Sequence, residues 1–230
     1  MDKNKIMSRY LFTFTSLLTF SANATIIINE IDYDQPGKDN AEFIELFNTD
    51  SVTTSLDHYS ISLINGSNAK SYRDISLSGF SIAANSFFVV CSDIALVANC
   101  NYSFTAKNSW FQNGAPDAVA LYKKDTLIDA LSYEGTLPPY TQGNVLKVKD
   151  NNTDIVSISR FDFQLDNNDN FRDFALGCIT PGTTNIAGKG DCSTTVTHAA
   201  IPEPGTTWLL GAGLMGLIGL SKNTSEETSK

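Results

Sequence analysis

An alternation of apolar and polar residues with a period of two runs through the chain from about residue 25 to residue 160. This period is typical of β-strands, whose successive side chains point to opposite faces, and differs from the 3.6-residue period of helices. The segments that carry it are 25–31, 42–47, 59–64, 86–91, 118–122, 127–131 and 155–160. Turns rich in Asn, Asp, Gly and Pro separate them, and the two segments that flank residues 123–126 predict a hairpin. The pattern predicts an all-β fold, a sandwich of two sheets.

The first 24 residues have the three parts of a secretory signal peptide. Three basic residues lie within residues 3–9, and an apolar stretch of about ten residues follows at 11–20. Ala22 and Ala24 then supply the small side chains that a signal peptidase reads. The apolar stretch is too short to span a bilayer, which needs about 20 residues. We therefore expect an N-terminal signal helix, export, and a mature chain that begins near residue 25.

The C-terminal part contains a second targeting pattern. A Ser/Thr-rich linker at 193–201 leads to the triplet Pro202-Glu203-Pro204 and then to an apolar, glycine-containing segment at about 206–220. This arrangement resembles the PEP-CTERM sorting signal of Gram-negative bacteria, in which the triplet precedes a short hydrophobic helix and a basic tail. The resemblance implies a sorting tail at 202–230 and an exosortase-type processing enzyme as partner. It also implies delivery, through an inner-membrane intermediate, to the cell surface or to an extracellular polysaccharide matrix of the biofilm type.

The tail departs from that family pattern in its last ten residues. They contain two lysines and two glutamates instead of an arginine cluster, so the positive-inside anchor is weak. The uninterrupted apolar run of about 13 residues gives only about 20 Å of helix, which is less than the roughly 30 Å of a bilayer core. Two outcomes stay open: a transient anchor that is cleaved, and a permanent C-terminal membrane anchor.

Four cysteines lie between the two end segments, as expected for an exported domain with two disulfide bridges. Four cysteines allow three pairings, and the nearest-neighbour pairing joins Cys91 to Cys100 and Cys178 to Cys192. Each of these short loops would contribute about 3 kcal/mol in the chain-entropy model. A zinc site is the alternative, but spacings of 9 and 14 residues lack the usual Cys-x₂₋₄-Cys pair.

Several motifs, taken in chain order, resemble the lamin-tail domain, an immunoglobulin-like β-sandwich that also occurs in exported bacterial proteins. The motifs are Ile-Asn-Glu at 28–30, Glu-Phe-Ile-Glu-Leu-Phe-Asn at 42–48, the segments 82–90, 113–121 and 127–133, and Thr-Pro-Gly-Thr-Thr-Asn at 180–185. One departure is Leu-Asp-His-Tyr at 56–59, where the family often has a Leu-x-Gly-Trp-like turn. The resemblance implies one such domain at 25–192, and it implies adhesion or targeting rather than catalysis.

Residues for catalysis are few in this sequence. A nucleophilic triad needs a histidine base, and the chain has only His58, after a predicted turn, and His198, in the linker. Glu30 and Glu45 lie inside apolar strands and are the candidates for acid/base chemistry. The alternative is that they point outward or cap neighbouring backbone amides. We expect no enzymatic activity.

The densest acidic stretch, at 162–173, has the oxygen ligands that a hard cation such as Ca²⁺ prefers. The candidate ligands are Asp162, Asp166, Asp169 and Asp173. The EF-hand pattern is absent, and Asn and Asp also occupy ordinary turns, so a solvated loop is the alternative. A second, weaker cluster contains Asp32, Asp34, Asp39 and Glu42. We expect no cofactor, with Ca²⁺ as the one exception to test.

Five aromatic residues are candidates for exposed sugar-binding side chains, and for Trp110 and Phe111 burial in the core is the alternative. They are Tyr102, Trp110, Phe111, Tyr133 and Tyr140.

Charge and motifs together predict how the mature protein acts. Five of the 16 basic residues and three of the 25 acidic residues lie in 1–24 and 205–230, which leaves 11 basic and 22 acidic residues. This excess of negative charge repels phosphate backbones, so we expect no nucleic-acid partner. The sequence predicts an exported module at the cell surface or in the matrix, non-catalytic, that binds extracellular polysaccharide or a surface protein. The alternatives are a Ca²⁺-dependent adhesin and an accessory domain of an extracellular nuclease or other hydrolase.

Overall fold

The computed structural model describes residues 25–104, 110–162 and 165–188. The predicted signal peptide, linker, sorting tail and hydrophobic C-terminal helix lie outside these residues. The described residues form twelve strands and one short helix. These are β1 Ile26–Asp32, β2 Phe43–Asn48, β3 Thr54–Ser55, β4 Tyr59–Asn65, β5 Lys70–Ser76, β6 Ser81–Ile82, β7 Phe87–Cys91, β8 Cys100–Ser103, β9 Asp117–Lys123, β10 Thr126–Tyr133, β11 Ser157–Arg160, α1 Asn170–Asp173 and β12 Phe174–Gly177.

The strands assemble into two main sheets. One sheet has six strands in the order β12-β11-β1-β2-β7-β8, and the other has four in the order β10-β9-β4-β5. Neighbouring strands are antiparallel except β7 and β8, which run parallel. The short strands β3 and β6 form a separate pair.

The two sheets share one hydrophobic core. The inner face of the six-stranded sheet contributes side chains such as Ile28 and Ile44, and the four-stranded sheet contributes side chains such as Ile61, Val119 and Leu131. Burying each such side chain stabilises the fold by about 1.5–3 kcal/mol. The predicted all-β sandwich is therefore confirmed, and so is the hairpin, because β9 and β10 pair on either side of residues 124–125.

The bridge between Cys91 and Cys100 is formed as predicted. It links the end of β7 to the start of β8 and lies on the outer face of the six-stranded sheet, where Phe43, Val89 and Val97 pack around it. Of the second predicted bridge, Cys178 is described and buried, whereas Cys192 lies outside the described residues, so that pairing stays a prediction. No helix among the described residues is long and apolar enough to cross a membrane.

Candidate functional site

The two glutamates singled out in the sequence lie side by side on the outer face of the six-stranded sheet. Glu30 on β1 is opposite Glu45 on β2 in the register. A bulge between Ile28 and Glu30 produces this position, because a strict alternation after Ile28 would point Glu30 into the apolar core. Both side chains are nevertheless fully buried, since other parts of the chain cover this face.

Residues 178–188, here called the strap, cross this outer face above Glu30. The backbone N–H of Thr180 donates to Glu30 Oε1 at 2.9 Å, and the Thr180 hydroxyl donates to Oε2 at 2.8 Å. From below, the hydroxyl of Ser157 on β11 donates to Oε1 at 2.6 Å. Three donors from two elements therefore hold a single carboxylate, which is the usual way that a buried acidic group is satisfied.

Glu45 binds the next turn of the strap in the same way. The backbone N–H of Gly182 donates to Glu45 Oε2, and the Asn29 amide donates to Oε1 at 2.6 Å. Asn185 extends these contacts, because its amide donates to the carbonyl oxygen of Arg160 at 2.6 Å. Both carboxylates thus cap backbone amides, but these amides lie 150 and 137 residues away in the chain and are not the neighbouring amides that the sequence suggested.

Burial governs the electrostatics of this carboxylate pair. Desolvation raises the pKa of Glu30 to about 7, while the bonds from Ser157 and Thr180 oppose the rise. Desolvation and then the charge of Glu30 raise the pKa of Glu45 well above its usual value. Neither carboxyl group reaches solvent. Both carboxyl groups accept hydrogen bonds from the protein's own backbone.

Two of the four candidate calcium ligands contact an arginine instead. Arg160 is buried, and its guanidinium lies 3.4 Å from Asp166 and 3.1 Å from Asp173. A third carboxylate, that of Asp129 on β10, lies 3.0 Å from it. The acidic stretch is therefore organised around a positive charge that the chain itself supplies.

The other two candidate calcium ligands are Asp169 and Asp162. Asp169 caps the N-terminus of α1 by accepting the backbone N–H groups of Phe171 and Arg172, and Asp162 is exposed. In the described part of the chain, no group of three or more His, Cys, Asp or Glu side chains is placed to hold a metal ion.

The members of the second predicted acidic cluster lie on different sides of the six-stranded sheet. Glu42 accepts the backbone N–H groups of Trp110 at 2.9 Å and Phe111 at 3.0 Å. Asp32 is buried on the other side, where it accepts a bond from Gln35 at 2.8 Å. Asp34 and Asp39 are partly exposed near the turn that follows.

A carboxyl group that was not predicted from the sequence lies beside Asp32. Asp150 is buried and accepts the backbone N–H of Asn151 at 2.8 Å. Desolvation and the charge of Asp150 raise the pKa of Asp32. A signal was present in the sequence: Leu146, Val148 and Asp150 alternate with exposed lysines, a pattern that places Asp150 on the inward side.

The candidate sugar-binding aromatic residues differ in their burial. Trp110, Phe111 and Tyr133 belong to the core, whereas Tyr102 and Tyr140 are partly buried. His58 is exposed in a turn with a positive φ of 69°, and His198 lies outside the described residues.

A shallow cleft of about 430 Å³ opens beside the edge strand β12. It is lined by residues of the 147–154 segment and by Leu176. The sequence pattern did not predict it, because neither of its lysines belongs to a recognisable motif.

Gly182 of the strap lies close to Asn99, in the loop that the Cys91–Cys100 disulfide closes. Its replacement gives a testable prediction. Gly182 has φ +77°, and a Cβ there would overlap the Asn99 side chain. Gly79 has a similar φ of +88° with open space around it. We expect Gly79→Ala to cost about 1 kcal/mol, the penalty of a left-handed backbone. Gly182→Ala should cost about 2–4 kcal/mol because overpacking is added. Urea denaturation measures both, and equal losses would contradict the contact described for the strap.

The paired sheets, the shared core and the covered outer face define an immunoglobulin-like β-sandwich domain. Residues 19–135 match the family model of the Lamin Tail Domain, just over half of the 230 residues. The chain belongs to the Lamin Tail Domain family. Strands β11 and β12 follow the matched segment in the chain, yet they belong to the same six-stranded sheet.

A second match covers the C-terminal segment. Residues 200–222 match the PEP-CTERM protein-sorting motif, and motifs of this kind are recognised by exosortase. The protein is therefore an exported, surface-associated protein that is processed at the membrane of a Gram-negative bacterium. No curated protein matches the chain.

Proposed function

We propose that this lamin-tail protein is a non-catalytic module of the cell surface or extracellular matrix that acts by binding or by structural presence. The observation that carries the proposal is that Glu30 and Glu45 accept hydrogen bonds from the strap. These acids were the sequence's candidates for acid/base chemistry, and both are buried and occupied by bonds to the strap. A general acid or base must reach the proton that it transfers.

Three other interior acids support the same proposal. Asp129 contacts Arg160 at 3.0 Å, Glu42 accepts two backbone amides, and Asp150 accepts the amide of Asn151. Each of these carboxyl groups satisfies donors of the fold. A scaffold of this kind suits a protein that presents its surface to a partner.

The test combines an activity assay with a retention assay on the purified exported protein. The protein is incubated with phosphodiester, phosphomonoester and glycoside substrates. In a second assay, the protein is added to washed cells of a strain that lacks the gene. We expect saturable retention on the cells and no turnover. Turnover that co-purifies with the protein would contradict the proposal, and so would a failure to be retained on the cells.

A further inference from the structure

Two Asn-Gly pairs occur in the chain, Asn65-Gly66 and Asn113-Gly114. In such a pair the backbone nitrogen of the glycine can attack the side-chain amide carbon of the asparagine, because a residue without a Cβ leaves this nitrogen unhindered and the backbone free to turn. The reaction needs a movable asparagine side chain and a backbone that can change its conformation. The fold provides these conditions at one pair and removes them at the other.

The first pair is held in place by the sandwich. Asn65 is the last residue of β4, and its Nδ2 donates to Gln112 Oε1 at 2.6 Å. Its Oδ1 accepts the backbone N–H of Ser67 at 2.8 Å. Gly66 is packed so closely that an added Cβ would lie 1.5 Å from the carbonyl oxygen of Pro116. Neither the side chain nor the glycine backbone can move without local unfolding, which costs free energy.

The second pair is open to solvent. Asn113 and Gly114 are both exposed and lie in the segment that precedes β9. Among the described residues, the Asn113 side chain makes one hydrogen bond, from Nδ2 to Asp39 Oδ2 at 3.0 Å on the surface. An added Cβ at Gly114 would meet only Asp117 Oδ2, at a contact distance of 3.5 Å. The asparagine side chain and the glycine backbone therefore have room to reach the reactive geometry.

The carboxylate of Asp117 does not distinguish the two pairs. The Gly66 N–H donates to its Oδ1 at 2.8 Å, and the Gly114 N–H interacts with the same carboxylate. A contact that both pairs share cannot produce a difference between them. The difference lies in the freedom of the asparagine side chain and in its exposure.

We propose that Asn113 is a site of spontaneous deamidation in the folded protein and that the fold protects Asn65. The Gly114 nitrogen bonds to the Asn113 Cγ and gives up its proton, and the Asn113 amide nitrogen leaves as ammonia, so that a cyclic imide forms. Water then adds to one of the two imide carbonyl carbons, and the bond from that carbon to nitrogen breaks. The product is aspartate or isoaspartate.

The modification changes the charge of this surface. The aspartate product places a carboxylate against Asp39, so two like charges replace the hydrogen bond from Asn113. Asp39 also accepts the backbone N–H of Gln35 at 2.9 Å, and the new charge therefore lies beside the turn at 35–39. This inference is independent of the proposed binding function.

The test is peptide mass spectrometry of the purified exported protein after incubation in mildly alkaline buffer. Deamidation replaces the mass of an amide by that of a carboxyl group, and fragmentation distinguishes isoaspartate from aspartate. A second sample is incubated in urea, where both pairs are unfolded. The variant Gly114→Ala adds a methyl group where the fold has room and hinders the attack. Gly79→Ala is its control, because an added Cβ there also finds open space. Thermal melting verifies that both variants remain folded.

In the folded protein we expect Asn113 to deamidate about tenfold or more faster than Asn65, and in urea we expect the two rates to agree within about threefold. Gly114→Ala should slow the reaction at Asn113 by about tenfold or more, and Gly79→Ala should leave it unchanged. The inference is overturned if Asn113 keeps its amide in the folded protein or if both asparagines react equally there. It is also overturned if the difference persists in urea, or if Gly114→Ala has no effect.

Discussion

Replacing Arg160 with leucine is expected to lower the free energy of unfolding by about 3–5 kcal/mol, the usual cost of breaking a buried ion pair. The guanidinium lies between the sheets, 3.0 Å from Asp129 on one side and 3.1 Å from Asp173 on the other. Its Nε–H also donates to the carbonyl oxygen of Ile28 at 2.9 Å. Leucine would remove the positive charge from Asp129 and Asp173, which would keep only neutral donors such as the backbone N–H groups of Ile28 and Asn167. The desolvation penalty of the buried carboxylates would then no longer be offset.

Arg172→Leu is the matched control for this substitution. Arg172 is an exposed residue of α1, near the same acidic stretch, and its loss should change stability by about 0.5 kcal/mol or less. Chemical denaturation of both variants gives the comparison. A loss below about 1 kcal/mol for Arg160→Leu would mean that the arginine does not hold the acidic stretch against the sandwich.

The free energy of unfolding is expected to fall by a few kcal/mol between pH 5 and pH 8, because a tenfold difference in proton affinity between the folded and unfolded chain corresponds to about 1.4 kcal/mol. Desolvation raises the pKa of three fully buried carboxyl groups, those of Glu30, Glu42 and Asp150, to about 7. Their usual values are 4.5 for glutamate and 3.8 for aspartate.

The sign of this pH effect follows from proton uptake. Between about pH 4 and pH 7 the folded protein keeps protons that the unfolded chain has released. These groups therefore stabilise the fold fully below the unfolded pKa, and that stability is lost as the pH rises through about 7. Glu30→Gln should flatten the dependence by the share of one carboxyl group. Equal stability at pH 5 and pH 8, or greater stability at pH 8, would contradict the raised pKa values.

The sandwich could be predicted because the alternating pattern that specifies it lies within single strands. Each strand alternates within six or seven residues, as in Tyr59–Asn65, and one face of the strand reaches the core. The disulfide between Cys91 and Cys100 could also be predicted, since a short loop closes easily and few pairings compete. Short strands such as β3 and β6 were missed, because two residues cannot show a period.

The carboxylate contacts could not be predicted, because they depend on geometry that a pattern does not contain. The bulge between Ile28 and Glu30 moves Glu30 to the outer face, and no residue type in the sequence indicates this bulge. The strap then meets Glu30 from 150 residues away. A charged residue at a buried strand position, such as Asp129 or Arg160, does signal a buried pair. Which two residues pair is decided only when the sheets assemble.

Glu30 and Glu45 hold the strap against the sheet through the hydrogen bonds that they accept from its backbone. Hydrogen exchange of the strap amides in the native protein tests this role most directly. The amides of Thr180 and Gly182, which donate to these carboxylates, should exchange as slowly as that of Leu46 in the central strand β2. Exchange of both amides as rapid as that of the exposed Thr184 would contradict the claim.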